Sequence, residues 1–199
     1  MAIIVNKEEK RSNIACSCKE ILLEHGIKNL TISQIAKTAG VGKGTIYEYF
    51  ENKEDIVFEI ITMFIVAHEQ KLQEITDQNV STKDKLFHFF YLMHEDENSH
   101  KQLNIYREFL AISMTSETQE MVDFNMKCRE KFTDILGQIV KDGIKKGEIR
   151  TEAQELLSAL LTFKLGLVVE THTAALDPKD EIIRFLDALF KVIEIKEEK

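Results

Sequence analysis

A chain of 199 residues is long enough for a small head and a larger body, and 44% hydrophobic with 30% charged residues is the balance of a globular protein with a real core. One proline and eight glycines leave little material for the turns of a many-stranded fold, so long helices are expected. The net charge of -8 counts at first sight against nucleic acid, yet residues 1 to 53 hold eight Lys or Arg against six Glu and the remainder carries -10, so charge permits a nucleic-acid partner for the head without requiring one.

The opening Met1-Ala2-Ile3-Ile4-Val5 is too short for the apolar centre of a secretory signal, and charges follow at once, which points to the cytoplasm. Ile14, Cys18, Ile21, Leu22 and His25 then recur at spacings of three and four, predicting a first amphipathic helix over 7 to 25 that Gly26 ends as a C-terminal cap. Thr31 and Gln34 form a capping-box pattern at the start of a short second helix, with Leu30 and Ile35 as its hydrophobic staple and Ala39-Gly40 as its end.

After Gly40-Val41-Gly42, the segment from Lys43 to Phe50 puts Ile46 and Phe50 on one face, toward a core. At about 100° per residue Gly44 and Glu48 lie opposite, with Thr45 and Tyr47 on the shoulders. Glycine inside a helix costs about 1 kcal/mol relative to alanine, so Gly44 marks a place where something approaches the backbone. Two short helices joined by a tight glycine turn make a helix-turn-helix, whose second helix fits a DNA major groove.

Asn52 caps a fourth helix, with Glu54 and Asp55 in its first turn, and the apolar run from Ile56 to Ala67 carries it to about residue 77. Further helices are expected at about 81 to 96, 101 to 114 and 118 to 146, separated by polar stretches such as Asp77-Gln78-Asn79 and Glu95-Asp96-Glu97-Asn98-Ser99. The last two, about 151 to 175 and 178 to 196, differ from these. The first is apolar nearly all round from Leu156 to Val169, and falls short of the roughly 20 apolar residues that span a bilayer. It reads as a buried helix. The second has a broad stripe including Ile182, Phe185, Leu186, Leu189 and Ile193. Phe64, His68, Phe90, Tyr106, Phe109, Phe124 and Phe163, with Tyr91 and His94, are spread over the body, and aromatic faces with a few polar tips are what an enclosed ligand pocket uses.

Cys16, Cys18 and Cys128 are odd in number and lack the paired spacing of zinc sites, and the six histidines form no H-x-x-x-H pair, so neither metal nor cofactor is expected. No glycine-rich phosphate loop, nucleophile motif or paired acidic motif points to an enzyme.

The run from Leu30 to Ile56, LTISQIAKTAGVGKGTIYEYFENKEDI, resembles the signature of the TetR family of transcriptional regulators almost position by position, and the resemblance is close over residues 7 to 56. It implies an all-α fold: a three-helix helix-turn-helix head over residues 1 to 53, followed by a helical ligand-sensing and dimerisation domain over 54 to 199. It further implies that Thr31 and Ser33 meet phosphates, that Lys43, Gly44, Thr45 and Tyr47 face the groove, and that Tyr49 and Lys53 clamp the DNA backbone. Glu48 either accepts from a cytosine amino group or points to solvent. Position 42 usually holds serine in this family, and Gly42 here removes a capping hydroxyl, at a cost of a few tenths of a kcal/mol.

The resemblance also pairs the last two helices with their copies in a second subunit, through Leu156, Leu160, Ile182, Leu186, Leu189 and Ile193. It makes Phe64 and His68 the foremost ligand contacts, because the connecting helix usually lines the pocket in such proteins. The expected partners are therefore double-stranded operator DNA of pseudo-palindromic sequence, a small-molecule effector and a second copy of the chain, with no membrane. Repressor is the favoured sense and activator stays open. The alternative is a helical binding or adaptor protein that does not use its DNA-binding head.

Overall fold

The computed structural model describes residues 7–76, 80–115 and 118–195. The opening segment 1 to 5, the polar joint at Asp77-Gln78-Asn79 and the far end of the last expected helix, Lys196, lie outside them. Among the described residues there are ten α-helices, and the one extended pairing is a single antiparallel bridge between Ile149 and Glu194. The chain divides into two compact units. One holds the chain up to Val66 together with Asn104 onward in the seventh helix, and the other holds Ala67–Leu103 and the chain from Thr118 onward.

The first unit opens with α1 (Lys7–Ser17) and α2 (Lys19–Asn29). They cover the stretch read as one helix, and the apolar positions Ile14, Cys18 and Leu22 are buried as their spacing requires. Gly26 interrupts α2 with φ +75 and ψ 172, a combination that excludes a β-carbon, which is why the periodicity stops there. α3 (Ile32–Thr38) begins on a complete capping box: Thr31 Oγ1 accepts from the Gln34 amide at 3.3 Å, and Gln34 Oε1 accepts from the Thr31 amide at 2.9 Å. Gly40, with φ +66, turns the chain into α4 (Lys43–Tyr49), and Ile46 and Phe50 are buried at 0% and 2% exposure. α5 (Lys53–Thr76) starts on Asn52, whose side chain accepts from the Asp55 amide at 2.8 Å.

In the second unit α6 (Thr82–Tyr91) packs against α8 (Gln119–Lys145) and α10 (Pro178–Ile193), and α8 packs on α9 (Leu157–Thr173). Their apolar faces share one core containing Leu86, Phe89, Phe90, Leu136, Ile139, Leu160, Ile182 and Leu186. α7 (Glu97–Thr115) begins four residues earlier than its apolar spacing predicts, because the Glu95–Ser99 stretch is the helix's cap and not a linker. Asp96 Oδ1 accepts from the Ser99 amide at 2.7 Å, and Glu97 follows in the first turn.

The helix expected over about 151 to 175, apolar nearly all round from Leu156 to Val169, is not covered on every side within the chain. Its first six residues form a 3₁₀ turn, Thr151–Leu156, and only 28% of its most apolar stretch is buried within the chain. Leu165 and Val169 are exposed at 43% and 40%.

Candidate nucleic-acid interface

α4 is held from below and open above. Ile46 faces inward, while Lys43, Gly44, Tyr47 and Glu48 are exposed and Thr45 and Tyr49 are half-buried. Tyr47 is 60% exposed, a large aromatic surface left in water on the side away from the core. Nothing lies within 4 Å of where a β-carbon on Gly42 or Gly44 would stand, so packing within the subunit does not require glycine at either position. Gly42 caps α4 with no side-chain bond, as expected from the missing serine hydroxyl.

Two of the expected phosphate contacts have internal duties. The Thr31 hydroxyl serves the capping box, donating to Gln34 Oε1 at 2.6 Å, although it remains exposed beside Ser33. Lys53 Nζ donates to the Ile27 carbonyl at 2.9 Å, so this ammonium ties α5 to the end of α2. A charged donor on a carbonyl is among the stronger hydrogen bonds.

Two residues that sequence reasoning missed fix the placement of these elements within the first unit. Arg11 Nη2 and Nη1 bond Asp55 at 2.6 and 3.2 Å, its Nε bonds Glu59 at 3.2 Å, and Nη1 also donates to the Tyr49 carbonyl. The same guanidinium lies 4.3 Å from the centre of the Phe50 ring. It therefore joins α1, the end of α4 and α5 in one charge-assisted network. Glu108 of α7 accepts from the amides of Ile27 and Lys28, each at 2.8 Å, directly beyond the break at Gly26. No local pattern announces either contact, since the partners are 38 to 81 positions apart.

The candidate ligand residues fall into two groups. Phe64, Tyr106 and Phe109 belong to the first unit and His68, Phe90, Phe124 and Phe163 to the second. Phe109 meets Phe58 edge-on at 5.8 Å and stacks with Tyr106 at 6.4 Å, while the Lys19 ammonium sits 5.4 Å from the centre of the Phe64 ring. In the second unit Phe163 stacks on Phe185 at 3.8 Å and both meet Phe90 edge-on, at 5.2 and 6.0 Å. His68 is buried and Phe124 half-buried. A groove of about 160 Å³ is lined by Glu69, Leu72, Gln73, Asp134, Ile135 and Gln138, below the roughly 300 Å³ at which pockets enclose drug-sized ligands.

The residues expected to pair two subunits are placed differently from the sequence reading. Leu160, Ile182, Leu186 and Ile193 are buried in the chain's own core at 3, 0, 1 and 4% exposure, and Leu156 and Leu189 pack against it half-buried. The subunit itself covers four of the six, which leaves Leu156 and Leu189 as the partly exposed members of the set. The large apolar residues that α9 and α10 leave exposed are Leu165, Val169, Ile183 and Val192.

Comparison with known proteins accords with this architecture. The sequence profile described as "Bacterial regulatory proteins, tetR family" matches residues 19–60, the stretch from α2 to the first turns of α5. The chain is 30% identical over 147 residues to an uncharacterized HTH-type transcriptional regulator, YhgD, of Bacillus subtilis, covering 73% of this chain and 74% of that one. It is 28% identical over 200 residues to the fatty acid metabolism regulator protein of the same organism, covering 94% and 95%. The crystal structure of the transcriptional regulator FadR from Bacillus subtilis, in complex with stearoyl-CoA, superposes with a TM-score of 0.68 at 24% identity, over 89% of this chain and 96% of that one. An all-α chain with an exposed recognition helix, matched both in its head and along most of its length, belongs to the TetR family of DNA-binding, helix-turn-helix transcriptional regulators and is not an enzyme.

Proposed function

We propose that this chain is a cytoplasmic repressor that binds a pseudo-palindromic operator as a homodimer and is released from it by an amphipathic ligand of the long-chain acyl thioester class. The observation that carries the reading is the outer face of α4, where Lys43, Gly44 and Tyr47 stand exposed opposite a core-facing Ile46. Thr31, Ser33, Lys43, Gly44, Thr45, Tyr47 and Tyr49 are its operator contacts, with Lys53 holding the head together and adding charge. Dimerisation is supported by the incompletely covered α9, whose Leu165 and Val169 lie in water, as do Ile183 and Val192 of α10.

The ligand class rests on the relatives, one a fatty acid metabolism regulator and one holding stearoyl-CoA. Its chain has two separate candidate surfaces, one in the second unit, where Phe90 meets Phe163 edge-on, and one in the first unit, where Tyr106 stacks with Phe109. Because α5 is a single helix from Lys53 to Thr76, a ligand that prefers one position of its far half also biases the end that carries the head. Ligand and operator then weaken each other by the same factor, typically 1 to 3 kcal/mol of coupling.

The test is fluorescence anisotropy of the full-length protein on the DNA flanking its own gene, with and without stearoyl-CoA. Saturable binding at moderate salt that stearoyl-CoA reverses is the expected result. Absence of binding overturns the regulator reading, whereas binding that ignores acyl thioesters but persists overturns only the ligand class.

A further inference from the structure

Glu48 is the single acidic residue of α4, and it stands where a carboxylate gives the helix no support. It lies in the last turn, the negative end of the helix dipole. One turn earlier is Gly44, which has no side chain to pair with it. The side chain is exposed, and among the described residues no donor or cation engages it.

Its direction is defined by the core. At 100° per residue Glu48 lies about 160° around the helix from the buried Ile46, so it projects from the outward face of α4. A carboxylate brought between two phosphate backbones is repelled on every sequence alike. That repulsion is offset only where a base edge offers an amino donor, and in the major groove cytosine N4 does so without the neighbouring N7 acceptor that adenine sets beside its own amino group.

Resting on the operator-binding reading above, we propose that Glu48 is a specificity-determining residue: it accepts from cytosine N4 at one position of each half-site, and its charge disfavours every duplex that lacks that cytosine. Lys43 and Tyr47 supply affinity and Glu48 subtracts it selectively. Gly44 leaves the adjoining surface bare, so the helix settles deeply enough for the carboxylate to reach a base edge.

The experiment selects bound duplexes from a randomised pool with the full-length wild type, E48A and E48Q, each checked for native helicity by circular dichroism. The wild type recovers a two-fold motif with one C·G pair fixed in each half-site. E48A keeps the rest of the motif, loses preference at that pair and binds unrelated duplex more tightly than the wild type. E48Q shifts the same position toward A·T, since an amide matches adenine N6 and N7. Replacing the cytosine by thymine lowers wild-type affinity about tenfold per half-site and leaves E48A within about twofold. An E48A variant with the wild-type motif and the wild-type penalty overturns the proposal. A wild type that recovers no motif overturns the operator-binding reading and this assignment with it.

Discussion

Lys164 of α9 is an ammonium inside an apolar core. It is 8% exposed, donates to the Phe89 carbonyl at 3.0 Å, and lies 4.7 and 5.2 Å from the ring centres of Phe89 and Phe132. Phe89 is in the last turns of α6, where a cation meets the negative end of the helix dipole, and the two aromatic faces add to this. Burial nonetheless disfavours the charged form and pushes the ammonium down to about 8. Below that pH both folded and unfolded chains hold the proton, and the folded state bears the full penalty. Between about 8 and the unfolded value near 10.4 the unfolded chain binds more protons, so stability rises with pH. Lys164→Met should therefore stabilise the protein by roughly 2–4 kcal/mol at pH 7, and by much less at pH 10. Urea melts of both proteins at the two pH values check this, and a destabilised variant at pH 7 would show that the Phe89 bond outweighs the burial cost.

α2 shows how a helix is broken and then restarted. Gly26 takes a backbone conformation closed to other residues, and a β-carbon there would stand 2.7 Å from Glu108 Oε2. The carboxylate caps the two amides that the break exposes, as an N-cap side chain would if the local sequence supplied one. Gly26→Ala should lower stability by about 1–3 kcal/mol. Glu108→Ala should cost about 1–2 kcal/mol, and because both changes act on one contact the double variant should lose less than their sum. Thermal denaturation of the four proteins tests the cycle; full additivity would mean that Gly26 is required for its dihedral angles alone.

For the molecule as a whole, the apolar stripe of α9 and α10 serves two purposes, one lining the subunit core and the other left in water. Leu186 is 1% exposed and Leu165 43%. Leu165→Glu should leave a folded subunit that sediments as a monomer, whereas Leu186→Glu should unfold the second unit, since an unpaired carboxylate in that core costs several kcal/mol. Sedimentation with circular dichroism separates the two outcomes. A Leu165→Glu protein that stays dimeric would move the pairing surface away from this face. The proposed dimer also bears on the proposed operator, because two copies of α4 would have to reach major grooves about 34 Å apart for a two-fold site to be read.

The features that the sequence determined by itself are those whose physics is complete within a few residues. The capping box of Thr31 and Gln34, the turn at Gly40, the inward Ile46 and Phe50, and the cap at Asn52 all depend on partners one to four positions away. Helical periodicity carries that information in full. The Glu95–Ser99 stretch was misleading for the same reason in reverse: residues suited to a loop are also those suited to a cap, and only the Asp96 bond decides between them. Tertiary structure alone decided what Arg11, Lys53 and Glu108 hold, since their partners are brought close by the fold. It also decided which apolar residues of α9 and α10 the subunit keeps for its own core. An apolar stripe shows that a face is to be covered, and both coverings remove the same surface from water, so its pattern is blind to whether the cover is the same chain or another.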